Sequence, residues 1–165
     1  MYPELNNKRI LITGASGDIG GSIARHFAES GAVLGIHYGQ NLKAADALTR
    51  EIEKKGGRAA CFQANLLSEN PYHLIDEFIE KFGGIDVLVN NAGGVVGFKD
   101  FLKLDETSWS ETCQLNVQAP FFLAQRAFGY MKQQGGGKII NISSVAAKYG
   151  GSARSMHYGA AKAAL

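Results

Sequence analysis

Residues 10–20 read ILITGASGDIG, a short apolar run followed by a turn dense in glycine. An apolar-periodic segment at residues 19–30 follows at once, so the order predicts a strand, a turn and a helix at the start of a βαβ unit. Glycine in such a turn adopts positive φ and lets the backbone come close to a ligand. The helix N-terminus offers unpaired N–H groups and a positive dipole end, which favour a bound phosphate. The alternative interpretation is an ordinary glycine-rich turn before a helix.

Strand-like and helix-like segments alternate through the rest of the chain. Strands are predicted at residues 32–37, 58–63, 86–90 and 138–142, and helices at residues 42–55, 71–82 and 106–133, the last with room for a break. This alternation is typical of the α/β class, and it predicts a Rossmann-type doubly wound parallel sheet with helices on both faces. Five strands precede the end of the chain inside a helix, whereas a full dinucleotide fold has about six. Residues 1–165 are therefore interpreted as a single dinucleotide-binding domain, truncated before its last strands.

Composition narrows the class of protein. The chain has 165 residues, of which 45% are hydrophobic and 19% charged, and its net charge is +2. These values are expected for a folded protein with no nucleic-acid partner and no membrane partner. No apolar run is long enough for a bilayer span, and we expect a cytoplasmic location. Cys61 and Cys113 lack the spacing of metal ligands, so we expect free thiols and no metal site.

The end of the second predicted strand bears on the choice of cofactor. A fold that selects NAD places an acid there, about 20 residues past the glycine turn, to bind the ribose 2′-hydroxyl. This chain has Tyr38 followed by Gly39, and its next acid is Asp46. Without a carboxylate to repel a 2′-phosphate, we expect NADP to be preferred. NAD held by hydroxyl and amide groups is the alternative.

A segment near the C-terminus pairs a phenol with an ammonium. Tyr158 and Lys162 are four residues apart, so on a helix they project from one face. An ammonium close to a phenol stabilises the phenolate, which makes the phenol a usable acid and base near neutral pH. Taken alone, a Tyr–Lys pair at this spacing is usually a solvated helix face.

Together with Asn91-Ala92-Gly93, Asn116 and Ser144, these motifs resemble the short-chain dehydrogenase/reductase family in order and approximate spacing, from residue 9 to the end. The resemblance implies hydride transfer between a nicotinamide and a carbonyl or alcohol carbon. Tyr158 would donate the proton to the carbonyl oxygen, and Lys162 would support its phenolate and hold the nicotinamide ribose. Ser144 would hydrogen-bond the substrate oxygen, and Asn116 would support a water that relays protons to Lys162. The implied cofactor-binding residues are Gly14, Ser16, Gly17, Asp18, Ile19, Gly20, Tyr38, Asn65 and Leu66 beside the adenine, Asn91, Ala92 and Gly93 along the ribose path, and Tyr158 and Lys162.

Three residues depart from the family pattern. The most similar subgroup has Thr-Gly-x-x-x-Gly-x-Gly, whereas Gly17 and Asp18 here replace a variable residue and the second glycine. The resulting glycine spacing resembles that of extended members, many of which are sugar-nucleotide epimerases. Asp18 would also bring a carboxylate near the pyrophosphate unless it caps the helix. Asn65 replaces the more usual Asp beside the adenine.

The leading interpretation is an NAD(P)-dependent oxidoreductase, similar to 3-oxoacyl-acyl-carrier-protein reductases. Its partner would be a small-molecule or acyl-carrier-bound carbonyl substrate. The alternatives are an extended-subgroup epimerase or dehydratase and a non-catalytic nucleotide-binding sensor, which would typically have lost Tyr158 or Lys162. Residues 116–133 carry more apolar surface than one sheet face covers, which predicts a homo-oligomer, either a dimer or a homotetramer.

Overall fold

A computed structural model of the chain describes residues 2–67 and 70–165. Strands and helices alternate as predicted. The strands are β1 (Arg9–Ile12), β2 (Val33–Tyr38), β3 (Arg58–Gln63), β4 (Val87–Asn90) and β5 (Lys138–Asn141). The helices are α1 (Asp18–Glu29), α2 (Leu42–Lys54), α3 (Tyr72–Phe82), α4 (Glu106–Cys113), α5 (Ala119–Gln133), α6 (Ala146–Tyr149) and α7 (Met156–Ala164).

The strands form one parallel sheet in the order β3-β2-β1-β4-β5. The order reverses between β1 and β4, because the chain runs outward from β1 to β3 and then returns to the other side of β1. At such a switch point the connections leaving the two strands diverge, and a crevice opens at the carboxyl edge of the sheet. The Rossmann-type doubly wound α/β fold predicted from the sequence is confirmed.

Helices cover both faces of this sheet. On one face, Ala24 of α1 and Leu48 of α2 pack with Ile12. On the other, Phe78 of α3 and Leu123 of α5 pack with Leu11. Neighbouring residues in a strand point to opposite faces, so β1 contributes to both cores and is buried throughout its centre.

The long helix predicted at residues 106–133 is interrupted. A π-helical turn spans Gln114–Gln118 and separates α4 from α5. Pro120 has no N–H to donate to the preceding turn, which favours a break in the helical hydrogen-bond ladder there. The turn carries the fully buried Asn116, and π turns inside helices frequently occur at functional sites.

Three further features concern the described part of the chain. No helix in it is both long and apolar enough to cross a bilayer. Within the same residues, no group of three or more His, Cys, Asp or Glu side chains could hold a metal ion. Cys61 and Cys113 are free thiols, as predicted, and the Cys61 Sγ lies 3.2 Å from the Thr49 Oγ1.

Gly35, in the middle of β2, leaves the space that the Phe78 ring occupies. A Cβ at residue 35 would lie 2.6 Å from Phe78 Cδ2 and 2.8 Å from Leu11 Cδ1. Phe78 in turn packs against Phe62 and Phe82, with ring centroids at 5.5 and 5.2 Å. The aromatic cluster between α3 and the sheet therefore depends on a missing side chain in β2.

Gly35→Ala is expected to lower the free energy of unfolding by about 1–3 kcal/mol, because the added methyl group overpacks this core. Urea denaturation followed by circular dichroism measures the change. Gly129→Ala is the matched control, because it adds the same methyl group at an exposed position of α5 with nothing within 4 Å. The control should gain roughly 0.5–1 kcal/mol. Equal responses to the two substitutions would contradict the packing described at Gly35.

Candidate active site

The carboxyl edge of the sheet opens into a cleft of about 650 Å³ at the switch point between β1 and β4. Its walls are the glycine turn, the ends of β2 and β3, and the segment that follows β4. The lining residues are Gly14, Ser16, Gly17, Asp18, Ile19, Gly20, His37, Gly39, Gln40, Asn41, Ala64, Asn65, Leu66, Leu67, Asn91, Ala92, Gly93 and Leu115. Open α/β sheets bind their ligands at this position.

Gly14 and Gly20 are required by their surroundings. Gly14 has a φ of +63°, and a Cβ there would lie 2.9 Å from the Ala92 Cα. A Cβ at Gly20 would lie 2.5 Å from the Gly14 carbonyl oxygen and 2.7 Å from Asn91 Nδ2. The two glycines therefore let the turn lie directly on the end of β4, and they leave the N-terminus of α1 open toward the cleft.

Reciprocal hydrogen bonds between Thr13 and Asn91 hold this contact together. The buried Thr13 Oγ1 accepts from the backbone N–H groups of Asn91 (3.0 Å) and Ala92 (2.9 Å) and donates to the Val89 carbonyl (3.3 Å). Asn91 Nδ2 donates to the carbonyl oxygens of Thr13 (2.9 Å) and Gly14 (3.2 Å). Thr13 and Asn91 thus hydrogen-bond to each other's segments and fix the turn on β4.

Gly17 and Asp18, which depart from the family pattern, lie at the start of α1. Gly17 is the N-cap and has an extended backbone (φ −92°, ψ 171°), where a Cβ would lie 3.4 Å from the Gly14 carbonyl oxygen. Residue 17 has room for a side chain, so the conformation of this turn does not require glycine there. The glycine spacing that resembles the extended subgroup is therefore not imposed by the turn. Asp18 is the first residue of α1, exposed at the cleft, and it does not occupy the capping position.

Tyr38, which the sequence predicts to bind the cofactor, is not among the residues that line the cleft. Tyr38 is half-buried on the α1–α2 face of the sheet and does not line the cleft. Successive side chains in a strand point to opposite faces, so His37 faces the cleft instead. Beyond the strand, Gly39, Gln40 and Asn41 form this part of the wall.

Tyr158 and Lys162 lie on the same side of α7, as the spacing predicts. Lys162 Nζ is 5.9 Å from the centroid of the Tyr158 ring and donates a hydrogen bond of 2.9 Å to the Ile142 carbonyl just after β5. Lys162 is 3% exposed, and burial lowers the pKa of its ammonium because desolvation disfavours the charged form. The pair is therefore not a solvated helix face.

Asn116 connects the π turn to the segment after β4. Its Oδ1 accepts from the Gly94 N–H (3.1 Å), and its Nδ2 donates to the carbonyls of Gly94 (2.7 Å) and Thr112 (2.8 Å). A Cβ at Gly93 would lie 2.7 Å from Asn116 Oδ1 and 2.8 Å from Lys162 Nζ. Glycine at residue 93 therefore lets the Asn116 amide and the Lys162 ammonium approach the inner end of the cleft together.

Ser144 follows β5, and its Oγ accepts a hydrogen bond from the Ala146 N–H (3.1 Å) at the start of α6. α6 packs closely on α7, because a Cβ at Gly159 would lie 3.2 Å from the Ala146 carbonyl oxygen. These contacts place the segment that carries Ser144 beside the helix that carries Tyr158.

The structure places the predicted residues in two neighbouring groups. The glycine turn, Asn65, Leu66 and the segment of residues 91–93 line one cleft, and Asn116, Lys162 and Tyr158 gather at its inner end. His37 was not predicted from the sequence as part of the site, nor was the Thr13 hydroxyl predicted to link β1 and β4. The alternation of side chains along β2 separates residue 37 from residue 38, but it does not show which of them faces the ligand.

Comparisons with known proteins identify the family by sequence and fold. A family profile described as short chain dehydrogenase matches residues 8–165. The 3-oxoacyl-[acyl-carrier-protein] reductase of Staphylococcus epidermidis is 34% identical over 145 residues, which are 87% of this chain and 59% of that protein. The solved structure of NADH-dependent reductase A1-R′, responsible for alginate metabolism, has a TM-score of 0.91 at 32% identity, over 98% of this chain and 68% of that one.

A short chain dehydrogenase from Burkholderia cenocepacia in complex with NADP has a TM-score of 0.88 at 34% identity, over 98% of this chain and 65% of that one. The chain thus spans about three fifths of the staphylococcal relative, 59% of its length. The matched region includes the whole cleft, α6 and α7. By its sequence match and its fold, the chain belongs to the short-chain dehydrogenase family.

Proposed function

We propose that this protein is an NAD(P)-dependent oxidoreductase that transfers a hydride between a nicotinamide and a carbonyl or alcohol carbon. The observation that carries the proposal is the buried Lys162 beside Tyr158, at the inner end of the cleft. Burying an ammonium is costly, and such groups with a shifted pKa concentrate at functional sites. A non-catalytic nucleotide sensor could use Lys162 to hold the ribose, but it would not need the Tyr158 hydroxyl beside it.

The cleft fits a nicotinamide dinucleotide. Gly14 and Gly20 leave the N-terminus of α1 uncovered, which suits a pyrophosphate because backbone N–H groups and the helix dipole both favour an anion. Asn65 and Leu66, assigned to the adenine by the family resemblance, line the same cleft, and Gly93 continues it toward Lys162. The bound dinucleotide supplies or accepts the hydride.

The residues of this chain then have to move a proton and stabilise charge. Tyr158 donates the proton to the substrate oxygen, and Lys162 stabilises the phenolate that remains, in surroundings where burial strengthens their attraction. Ser144 donates a hydrogen bond to the same oxygen while negative charge develops on it. Asn116 holds the inner end of the cleft and supports a water that relays protons to Lys162.

We also propose a preference for NADP, which the charges around the end of β2 support. Residues 37–41 (HYGQN) contain no carboxylate, and α2 begins directly after them, with Asn41 Oδ1 accepting from the Ala44 N–H at 3.1 Å. The positive end of α2 therefore faces this part of the cleft, which favours a 2′-phosphate. One structural neighbour is complexed with NADP and another is NADH-dependent.

For the substrate we propose a 3-oxoacyl compound, either small or attached to an acyl carrier. The staphylococcal relative is named as a 3-oxoacyl-[acyl-carrier-protein] reductase. In this chain Val145 directly follows Ser144, and Met156 lies two residues before Tyr158. The side chains of Val145 and Met156 are apolar, and the two residues are 79% and 44% exposed. They would suit an aliphatic portion of a substrate whose carbonyl oxygen meets the Ser144 and Tyr158 hydroxyls.

Assembly into a homo-oligomer also belongs to the proposal. Leu123 and Met131 bury one side of α5 against the sheet, whereas Phe121 and Phe128 are 61% and 60% exposed on it. Exposed aromatic clusters of this kind mark protein contacts. We propose that α5 packs against a second copy, in a dimer or a tetramer.

Tyr158→Phe is expected to lower turnover by about 10²–10⁴-fold, because it keeps the ring and removes the proton donor. Dinucleotide affinity should remain near that of the wild type. A ketone screen with NADPH oxidation as the readout measures turnover, and fluorescence titration measures affinity. Equal rates for wild type and the Phe variant would show that Tyr158 is not the acid.

Two further variants separate the roles in that experiment. Lys162→Ala should weaken both turnover and dinucleotide affinity, because the ammonium serves the phenolate and the ribose. Ser144→Ala should chiefly lower turnover. If no ketone is reduced and all three variants bind nucleotide alike, the sensor alternative is correct.

NADPH is expected to bind more tightly than NADH, and Gly39→Asp should shift the preference toward NADH. The new carboxylate would accept from a 2′-hydroxyl and repel a 2′-phosphate, and a Cβ at Gly39 meets nothing closer than the Ala64 carbonyl oxygen at 3.9 Å. Tyr38→Asp is the matched control, since residue 38 faces away from the cleft. A larger shift from the control than from Gly39→Asp would disprove the assignment of faces.

Asp18→Asn is expected to tighten dinucleotide binding by about three- to tenfold at low salt, because the carboxylate at the cleft repels the pyrophosphate. The same change should cost about 0.3–1 kcal/mol of stability, since Asp18 complements the dipole of α1. The gain in affinity should shrink as salt rises. Titrations at several ionic strengths, with thermal unfolding alongside, measure both effects; weaker binding by the Asn variant would refute the repulsion.

A further inference from the structure

His37 is a buried histidine whose two ring nitrogens both bind backbone. It lies near the end of β2 and is 2% exposed. The Gly14 N–H donates to His37 Nδ1 at 2.9 Å, and His37 Nε2 lies 3.1 Å from the Ala64 carbonyl oxygen. Since Nδ1 accepts, the neutral ring must carry its proton on Nε2, which donates to Ala64.

These two bonds link the connections that follow β1 and β3, the two strands on either side of β2 in the sheet. Gly14 begins the glycine turn, and Ala64 begins the segment of residues 64–67 that follows β3. The His37 backbone adds a third link, because its carbonyl accepts from the Ala15 N–H at 2.9 Å. The imidazole therefore bridges the glycine turn and the end of β3, both of which line the cleft.

We propose that His37 is a positioning residue for the dinucleotide, an inference that rests on the proposed function. Its neutral imidazole ties the first glycine of the turn to the segment after β3, and so fixes the relative position of two segments that line the dinucleotide cleft. His37 acts through Gly14 and Ala64, and both of its nitrogens are already engaged by them.

Acid should release this link. Burial lowers the pKa of His37 from 6.5 to about 4, because the interior disfavours the imidazolium. Protonation would turn Nδ1 into a donor that faces the Gly14 N–H. From the neighbouring elements, the turn and the end of β3 present the backbone of Gly14 and Ala64, and α3 presents His73, a second base that disfavours charge on His37.

The sign of the pH dependence follows from the two protonation states. The unfolded chain binds the proton near pH 6.5 and the folded chain only near pH 4, so acid favours unfolding across this interval. The contribution of His37 to stability is complete above the unfolded value and is lost as the pH falls toward the folded one. His37→Asn, which does not titrate, should lack this part of the pH dependence, which amounts to at most about tenfold in the unfolding constant per pH unit.

The binding test compares His37→Leu with His37→Asn. Leu removes the acceptor and leaves the Gly14 N–H unpaired, so NADPH affinity should fall by about 10- to 100-fold, with kcat at saturating cofactor nearly unchanged. Asn offers an Oδ1 close to the position of Nδ1 but does not reach Ala64, so affinity should recover only in part, to about three- to tenfold below the wild type. Wild-type affinity in the Leu variant, or equal losses in both variants, would overturn the proposal.

Two controls separate positioning from stability and from the proposed function. Ile52→Ala thins the core on the other face of the sheet, at a residue that does not line the cleft, so it should lower stability and leave affinity unchanged. Hydrogen exchange at the Gly14 amide tests the link without any cofactor, and it should accelerate at least about tenfold in His37→Leu. If the wild type bound neither NADPH nor NADH, the proposed function would fail. Unchanged exchange at Gly14 would instead overturn the role of His37.

Discussion

Gly14 and Ala92 lie so close together that a Cβ at residue 14 would be 2.9 Å from the Ala92 Cα. This approach brings the turn after β1 onto the end of β4, across the point where the strand order reverses. Thr13 and Asn91 satisfy each other's polar groups at the same contact, so it is buried without unpaired donors on either residue. The cleft, the open N-terminus of α1 and the path toward Lys162 all follow from this contact.

The inner end of the cleft depends on a second constraint, the burial of an ammonium. Lys162 has the Ile142 carbonyl as its hydrogen-bond acceptor, and its neighbourhood is kept open by Gly93, where a side chain would meet both Lys162 and Asn116. Asn116 is held by the π turn between α4 and α5. An interruption that weakens the helix therefore positions a polar side chain that a regular helix would direct elsewhere.

Few charged side chains line the cleft, so each ionisable group has a large effect on the binding of an anionic ligand. Asp18 opposes an anionic ligand at the same helix end whose dipole attracts one. His37 lies deeper and stays neutral, which allows it to accept from the Gly14 N–H. The positive end of α2 and the absence of acid at residues 37–41 act at the outer wall. These contributions fall on different parts of the cleft and can be separated by substitution.

The alternation of strands and helices, the parallel sheet and the order of the motifs could be predicted from the sequence, because apolar periodicity and the glycines that end helices reflect local backbone preferences. The placement of Tyr158 and Lys162 on one helix face could also be predicted, since it follows from their spacing. That His37 and not Tyr38 lines the cleft could not be predicted and required the three-dimensional structure. Strand alternation assigns the two residues to opposite faces, but which face meets the ligand depends on the helices that cover each side. The need for glycine at two further positions also depends on side chains distant in sequence. A side chain at Gly35 would meet Phe78, and a side chain at Gly93 would meet Asn116 and Lys162.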